Sequence, residues 1–476
     1  MTRPSLWTAE ELCVATGGTC ADDFTASGVS IDSRTLETGD LFIAIEGPNF
    51  DGHDFVADAF ARGAAGALVA RDVAGVPSGS ICLRVADTMT ALADIGRAAR
   101  DRTGARIVAV TGSVGKTGTK EALRHVLEAQ GRTHASVGSF NNHWGLPLSL
   151  GRMGRDAAFG IFEMGMNHPG EITPLTKLAR PHVALITTVE GVHKGHFASL
   201  EAIADAKAEI FAGLDNDGVA VLNRDNRFFD RLRDAAQAGG IATIIGFGDH
   251  DHADVRLLNS GLDSEGSDIT VDVMGRIVSC RVGLPGRHWV QNSLGVLGVV
   301  HALGGDIERA AEALSTFHAP KGRGQRHTVS LDGGAFTLID ESYNASPVSM
   351  KAAVDVLALT AAKTGGRSIA VLGDMLELGE EGPADHAALK TVLAEREIDV
   401  VFTAGPLMEN LNRARGAGER DVHAETSALL VPLVADAVEV GDVVMVKGSL
   451  GSRMRLVVDA LLELDTANRP RAVNGN

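Results

Sequence analysis

Aromatic residues make up only 4% of this chain of 476 residues, so Ala, Val and Leu must fill its cores. Basic residues are short as well: Lys and Arg number 44 against 61 Asp and Glu, a net charge of −17. Nonspecific nucleic-acid binding relies on Lys and Arg neutralising phosphates, so this balance excludes it and requires any phosphate contact to be local. Cysteine is scarce. Cys13, Cys20, Cys82 and Cys280 show no CxxC or metal-like spacing and read as buried small residues in a reducing compartment. The start, "MTRPSLWTAEELCVATGG", lacks a signal-peptide apolar core, and no run reaches the ~20 apolar residues that span a bilayer. The expectation is a soluble, cytoplasmic protein with no membrane insertion. A last absence is more specific. In "VAVTGSVGKTGTKEAL", Val110 stands where the phosphate-loop pattern G-x-x-x-x-G-K-[ST] has its first glycine.

What is present divides into three parts, as the length suggests at ~150 residues per domain. The first ~100 residues carry short β-like pieces, "GVSIDSRTLETGDLFIAI", then an Ala-rich helical run. "RTGARIVAVTG" switches to a buried strand entering a glycine turn, which puts a boundary near Thr103. Strands such as "GIFEMGM", "HVALITTV" and "GVAVLN" then alternate with helical patterns, the signature of a parallel sheet. The polar, basic "FHAPKGRGQRH" puts a second boundary near Pro320. Beyond it "FTLIDESY", "RSIAVLGDM", "DVVFTAG" and "DVVMVKGS" again alternate with helices. The expectation is an α/β protein of three units: 1–103, a small α/β domain; 104–320, a P-loop ATPase-like parallel-sheet domain; and 321–476, a Rossmann-like domain.

Strand, glycine turn, Lys-Thr and helix is a physical recipe for holding phosphates. Backbone N–H groups of Gly112, Ser113, Val114 and Gly115 and the helix N-terminus face the anion, Lys116 neutralises charge, and Thr117 can ligate Mg²⁺. A GTPase also needs a guanine-reading NKxD. The nearest string, "NRDN" at Asn223–Asn226, has Arg for Lys and Asn for Asp, so ATP is favoured.

"TGSVGKTGTKEAL" resembles the TGxxGKT loop of the Mur ligase family, ATP-dependent enzymes that add amino acids to UDP-N-acetylmuramate. "SIDSRTLETGDLFIAIEGPNFDGHDF" before it and "SFNNHWGLPLSL", "FEMGMNHPGEI", "IDESYNASPVSMKAAV", "VLGDMLELG" and "VKGSLGSRM" after it match in family order. The last five resemble the branch that joins D-alanyl-D-alanine to UDP-N-acetylmuramoyl-tripeptide through an acyl phosphate, giving the pentapeptide precursor of peptidoglycan. The resemblance implies a monomeric cytoplasmic ligase of cell-wall synthesis, using ATP and two Mg²⁺ ions.

The resemblance also implies roles for single residues. Glu163, at the end of "GIFEM", and His193, in "TTVEGVHKGHF", match metal-site positions beside Thr117; His196 is closer to a generic loop histidine. Lys207, in the amphipathic "SLEAIADAKAEIF", reads by itself as a solvated lysine. The family match makes it instead a carbamylated ligand to the second Mg²⁺, chemistry open to an amine whose pKa falls on burial. In "LPGRHWVQNSLGVLGV", His288 and Asn292 fit the adenine motif HNxxNxxAA, with Asn292 reading adenine, but Trp289 replaces its first asparagine. Arg323 and Asp340 are expected to reach ATP from the third domain, the first at the γ-phosphate, the second at the ribose or a metal-bound water. Asp32, Ser33 and Arg34 are expected to meet the uridine diphosphate. Asn141 and Asn142 place the sugar or peptide, and Tyr343, the chain's one tyrosine, and Asn344 follow at a strand end. Lys447, Ser449 and Arg453 share a loop suited to the dipeptide carboxylate.

Two rivals differ in sequence. The branch that adds the third peptide residue carries a DNPR-type motif, where this chain has "GDMLELG". Folylpolyglutamate synthases share the loop but lack the uridine-site segment. A P-loop regulatory switch, from another functional class, has no recognisable switch pattern here. Whether the tripeptide ends in lysine or diaminopimelate stays open.

Overall fold

In a computed structural model, residues 3–47, 49–192, 195, 197–416 and 421–466 are described. Three α/β units follow one another along the chain. The first holds a four-stranded parallel sheet, Gly28–Ser30, Asp40–Ile43, Gly66–Val69 and Cys82–Arg84 in that order. A helix at Ala9–Thr16 begins with a capping box: Thr8 accepts from the Glu11 N–H while the Glu11 carboxylate accepts from the Thr8 N–H. Trp7 ties this unit to the next. Its indole N–H donates to the Gly151 carbonyl at 2.8 Å, and the Arg102 guanidinium stacks 3.5 Å over its ring. The four cysteines are free and half-buried rather than fully buried, with Cys13 and Cys20 sulfurs 3.5 Å apart.

The central sheet has nine strands. From one edge run Thr133–Ala135, Phe159–Glu163, Arg106–Thr111, Val183–Ile186, Val219–Asn223 and Thr243–Gly248, all parallel. The inner three, Arg106–Thr111, Val183–Ile186 and Val219–Asn223, are mostly Val/Ile/Ala/Leu because helices cover both faces, as parallel sheets require. Val255–Leu262 joins in parallel, and Ser267–Val273 and Arg276–Val282 add an antiparallel arm that the sequence patterns did not flag. The third sheet is ordered Gln325–Leu331, Gly334–Glu341, Val443–Lys447, Ser368–Gly373, Val400–Ala404 and Val422–Ala424. Only its first pair is antiparallel. Helix Pro347–Thr364 packs on it, started by Ser346 as cap with proline next and stopped by Gly365 at φ 72°. The α/β class with parallel sheets expected from the strand–helix alternation is therefore what the chain adopts. Among the described residues no helix is long and apolar enough to cross a membrane.

The functional consequence lies at the strand ends. Thr111, Glu163, Ile186 and Asn223 finish neighbouring parallel strands, so their loops open on the same edge of the central sheet. Open parallel sheets bind ligands outside this carboxyl edge.

Candidate active site

Val110 belongs to the strand, not to the turn. It is fully buried and pairs with Leu185 on one side and Glu163 on the other. Burying such a side chain stabilises the sheet by roughly 1.5–3 kcal/mol, which a glycine there forfeits. The turn itself starts at Gly112, φ 147°, where an added Cβ would lie 1.9 Å from Thr187 Oγ1. Gly115, at φ 86°, ends it and caps helix Lys116–Glu128 with no side-chain acceptor, leaving the first N–H groups aimed outward. Thr187 steadies the loop by donating to the Val114 carbonyl at 2.6 Å, and Ser113 donates to the Glu190 carbonyl at 3.0 Å. Lys116 lies back across the loop, its amine donating to the carbonyls of Gly112 (2.7 Å) and Ser113 (3.2 Å). Burial lowers its pKa; Glu163 opposes that shift and Arg323 adds to it.

Behind the loop three sequence candidates converge. Thr117 donates to Glu163 Oε2 at 2.7 Å, and the Asn141 amide donates to Glu163 Oε1 at 2.8 Å. Glu163 is 1% exposed, which rules out a solvated acid at the strand end. Lys207, at the end of helix Leu200–Ala208, is 2% exposed and not a surface lysine. Burial and the positive charge of Lys116 push its ammonium well below the ordinary lysine range. His193 and His196 lie outside the described residues. Among the described residues no cluster of three or more His, Cys, Asp or Glu gathers as a ready-made metal cage. A hydroxyl and a carboxylate side by side fit the partial oxygen shell by which Mg²⁺ is held when phosphates and waters complete it.

A cleft of about 550 Å³ separates this edge from the third unit. Ser113–Gly118, Asn141, Glu163, His288 and Asn292 line one wall; Arg323, Tyr343, Asn344, Lys447 and Ser449 line the other. The walls touch where the hydroxyls of Tyr343 and Ser139 hydrogen-bond, and the Arg323 guanidinium sits 4.4 Å over the Tyr343 ring. Lys447, 3% exposed, donates to Glu341 (3.2 Å) and to the Asn344 carbonyl (2.9 Å). Ser449 Oγ accepts from the Leu376 N–H. His288 is half-buried, and desolvation keeps its imidazole below the usual pKa.

Other candidates lie elsewhere. Asp340 does not line the cleft. It is fully buried, ion-paired to Arg455 at 2.8 Å and accepting from the Ser342 N–H and hydroxyl. Asn142 is also off the cleft and accepts from the Gly145 N–H at the start of the next helix. Arg453, at φ 56°, lies outside the lining too. Asp32, Ser33 and Arg34 sit in the first unit after strand Gly28–Ser30, where Arg34 pairs with Asp32 at 2.7 Å. That pairing lowers the Asp32 pKa, chiefly through the guanidinium hydrogen bond. Residues to which the motifs gave no site role include Thr187, Glu190 and Asn223, which end or follow parallel strands and line the cleft. The signal for them was their place after parallel strands rather than their identity.

Three family models match in chain order: "Mur ligase family, catalytic domain" over 25–99, "Mur ligase middle domain" over 110–300 and "Mur ligase, glutamate ligase domain" over 322–450. The UDP-N-acetylmuramoyl-tripeptide–D-alanyl-D-alanine ligase of Bacillus subtilis is 36% identical over 442 residues, 92% of this chain and 93% of that one. Its Escherichia coli counterpart is 34% identical over 446 residues, 93% and 95%. Among solved structures, MurF from Acinetobacter baumannii superposes with a TM-score of 0.82 at 30% identity, covering 96% of this chain and 99% of that one. MurF from Thermotoga maritima in complex with ADP gives 0.74 at 25% identity, covering 93% and 98%. With family models across most of its length and relatives above 30% identity matched end to end, this chain belongs to the Mur ligase family.

Proposed function

We propose that the chain is an ATP-dependent amide ligase that joins D-alanyl-D-alanine to UDP-N-acetylmuramoyl-tripeptide, yielding the UDP-linked pentapeptide, ADP and phosphate. The observation that carries this reading is the end-to-end match to relatives of that printed activity, over at least 92% of both chains. The cleft supports it. A terminal carboxylate attacks the γ-phosphorus and ADP leaves; the dipeptide amine then attacks the acyl carbon, phosphate leaves, and the amine gives up its proton. Two anions must approach for the first step, and preorganised cations are what lower that barrier. Lys116 and the helix amides stand on one wall and Arg323 on the other.

In this reading Gly112–Thr117 cradle the phosphates and Asn292 reads adenine. Asn141, Tyr343, Asn344, Lys447 and Ser449 face the peptide ends, and Asp32, Ser33 and Arg34 the uridine diphosphate. Asp340, held by Arg455, orders the strand end below the cleft rather than meeting ATP. Thr117 and Glu163 would hold one Mg²⁺, which supplies charge neutralisation between carboxylate and phosphate. Lys207 would serve a second after carbon dioxide adds to its neutral nitrogen and a proton leaves; the lowered pKa supports this. His193 is proposed as a further metal ligand. The division at 103/104 and 320/321, a monomeric state and a cytoplasmic place in peptidoglycan synthesis complete the proposal.

Phosphate release in the presence of ATP tests it. Release should require both UDP-N-acetylmuramoyl-tripeptide and D-alanyl-D-alanine, and single D-alanine should not substitute. Release independent of the dipeptide would overturn the ligase reading in favour of a nucleotide switch. Running the lysine and diaminopimelate tripeptides side by side identifies the third residue.

A further inference from the structure

Two glycines of the nucleotide loop have neighbours from a single helix seated on them. A Cβ built on Gly115 would fall 2.9 Å from Asn292 Oδ1, and one built on Gly118 would fall 2.7 Å from Trp289 Cη2. Residues 289 and 292 are three apart in helix Arg287–Ala302, as 115 and 118 are at the start of helix Lys116–Glu128. One helical face therefore lies directly on the phosphate loop through a pair of contacts. Gly115 is required by its left-handed backbone, but Gly118 is not, because its φ is ordinary. Helix propensity alone favours alanine at such a position. What keeps it a glycine is the indole.

That indole cannot swing aside. Trp289 is 5% exposed, meets Phe317 edge-on with ring centres 5.5 Å apart, and has the His288 ring 5.7 Å away on the neighbouring position. It stands where the family's adenine motif has an asparagine, yet it points into the helix–helix seam and lines the same cleft as Asn292. We propose that Trp289 is a positioning residue for the nucleotide. Wedged on Gly118, it sets the height of the phosphate helix against the helix that presents Asn292, so that base and phosphates are held at one fixed separation. The inference rests on reading the cleft as the ATP site.

The test is a double-mutant cycle on the full-length protein, titrating ADP by calorimetry and UDP-N-acetylmuramoyl-tripeptide as the control ligand. Gly118→Ala should weaken ADP about tenfold and Trp289→Phe about threefold, while the double variant is no weaker than Trp289→Phe, since the shorter ring makes room for the methyl. The tripeptide constant should stay within about twofold throughout, because contacts remote from its site leave it unmoved. Additive losses, or equal losses for both ligands, overturn the proposal. If Gly118→Ala does not fold, Trp289→Phe alone decides, and wild-type ADP affinity in that variant overturns it. Absence of ADP binding by the unmodified protein overturns the ATP reading of the cleft, and the inference with it.

Discussion

Thr117 donates its hydroxyl hydrogen to Glu163 at 2.7 Å, joining the first turn of the phosphate helix to the end of the neighbouring strand. Both groups are buried, so the pair is a preset oxygen couple at the point where the γ-phosphate would arrive. Glu163→Gln keeps the shape and the hydrogen bond to Thr117 but removes the charge. Turnover should fall on the order of 10²–10³-fold, the cost of one electrostatic group in a preorganised site. The melting temperature should stay close to that of the unmodified protein. Phosphate release and a thermal melt check this; near-normal turnover would remove Glu163 from the site.

Lys116→Ala should abolish ATP-dependent ligation with the fold intact, because among the described residues the lysine bonds to carbonyls of its own loop and fills no core. The expected loss of turnover is at least ~10²-fold. Circular dichroism and the phosphate assay together decide it, with retained ligation counting against the phosphate-loop role.

Lys207 offers a test with a readout beyond turnover. If its amine carries a carbamate, protein equilibrated with ¹³C-bicarbonate should show one carbamate carbon signal that Lys207→Ala lacks. Lys207→Ala and Lys207→Arg should both be nearly inactive, and acetate should restore part of the activity only to the alanine variant. Burial has lowered this pKa, so the neutral amine that adds carbon dioxide is available at a lower pH than for a free lysine. Full activity of Lys207→Arg would reject the carbamate.

Tyr343 and Ser139 close the cleft from opposite walls. Tyr343→Phe removes that hydrogen bond at a cost of about 1 kcal/mol, roughly a fivefold shift in a closing equilibrium. Small-angle scattering at saturating nucleotide and tripeptide should therefore give a larger radius of gyration for the variant than for the unmodified protein. Identical radii would show that the bond does not hold the walls together.

His134 gives a pH signature to stability. Burial pushes its imidazole down to about 4 from 6.5, and it donates to the Ser149 carbonyl at 2.8 Å as a neutral ring. The unfolded chain takes up that proton first. Stability should thus fall as pH drops from 6.5 toward about 4. His134→Gln keeps a donor and removes the titration, so urea midpoints for the variant should decline less steeply across that window. Parallel declines would exclude His134 as the cause.

The inner parallel strands were legible because they are short apolar runs ended by a small or polar residue, as in "HVALITTV" and "DVVMVKGS". The arm at 255–282 was not: Ser267–Val273 alternates buried and more exposed positions, but Val255–Leu262 and Arg276–Val282 beside it do not. At the site, the loop and Glu163 could be read from local pattern. Lys207 could not: nothing in "ADAKAEIF" distinguishes it from a solvated lysine, and only packing by distant segments buries it. Asp340 differs in the opposite sense. Its motif suggested a ligand contact, while Arg455, 115 residues further on, claims its carboxylate.

Tyr343 is the chain's single tyrosine, and it sits on the seam between the two walls of the cleft. A sample labelled only at tyrosine would accordingly give one ring spin system, assigned without further work, from the point where the domains meet. Ring-flip rate and line shape at that probe would report how often the seam parts, on the microsecond-to-millisecond scale that domain motions occupy. Sparse aromatic content, a constraint on how the cores are filled, thus leaves the enzyme with a native spectroscopic label on the seam between the walls of its cleft.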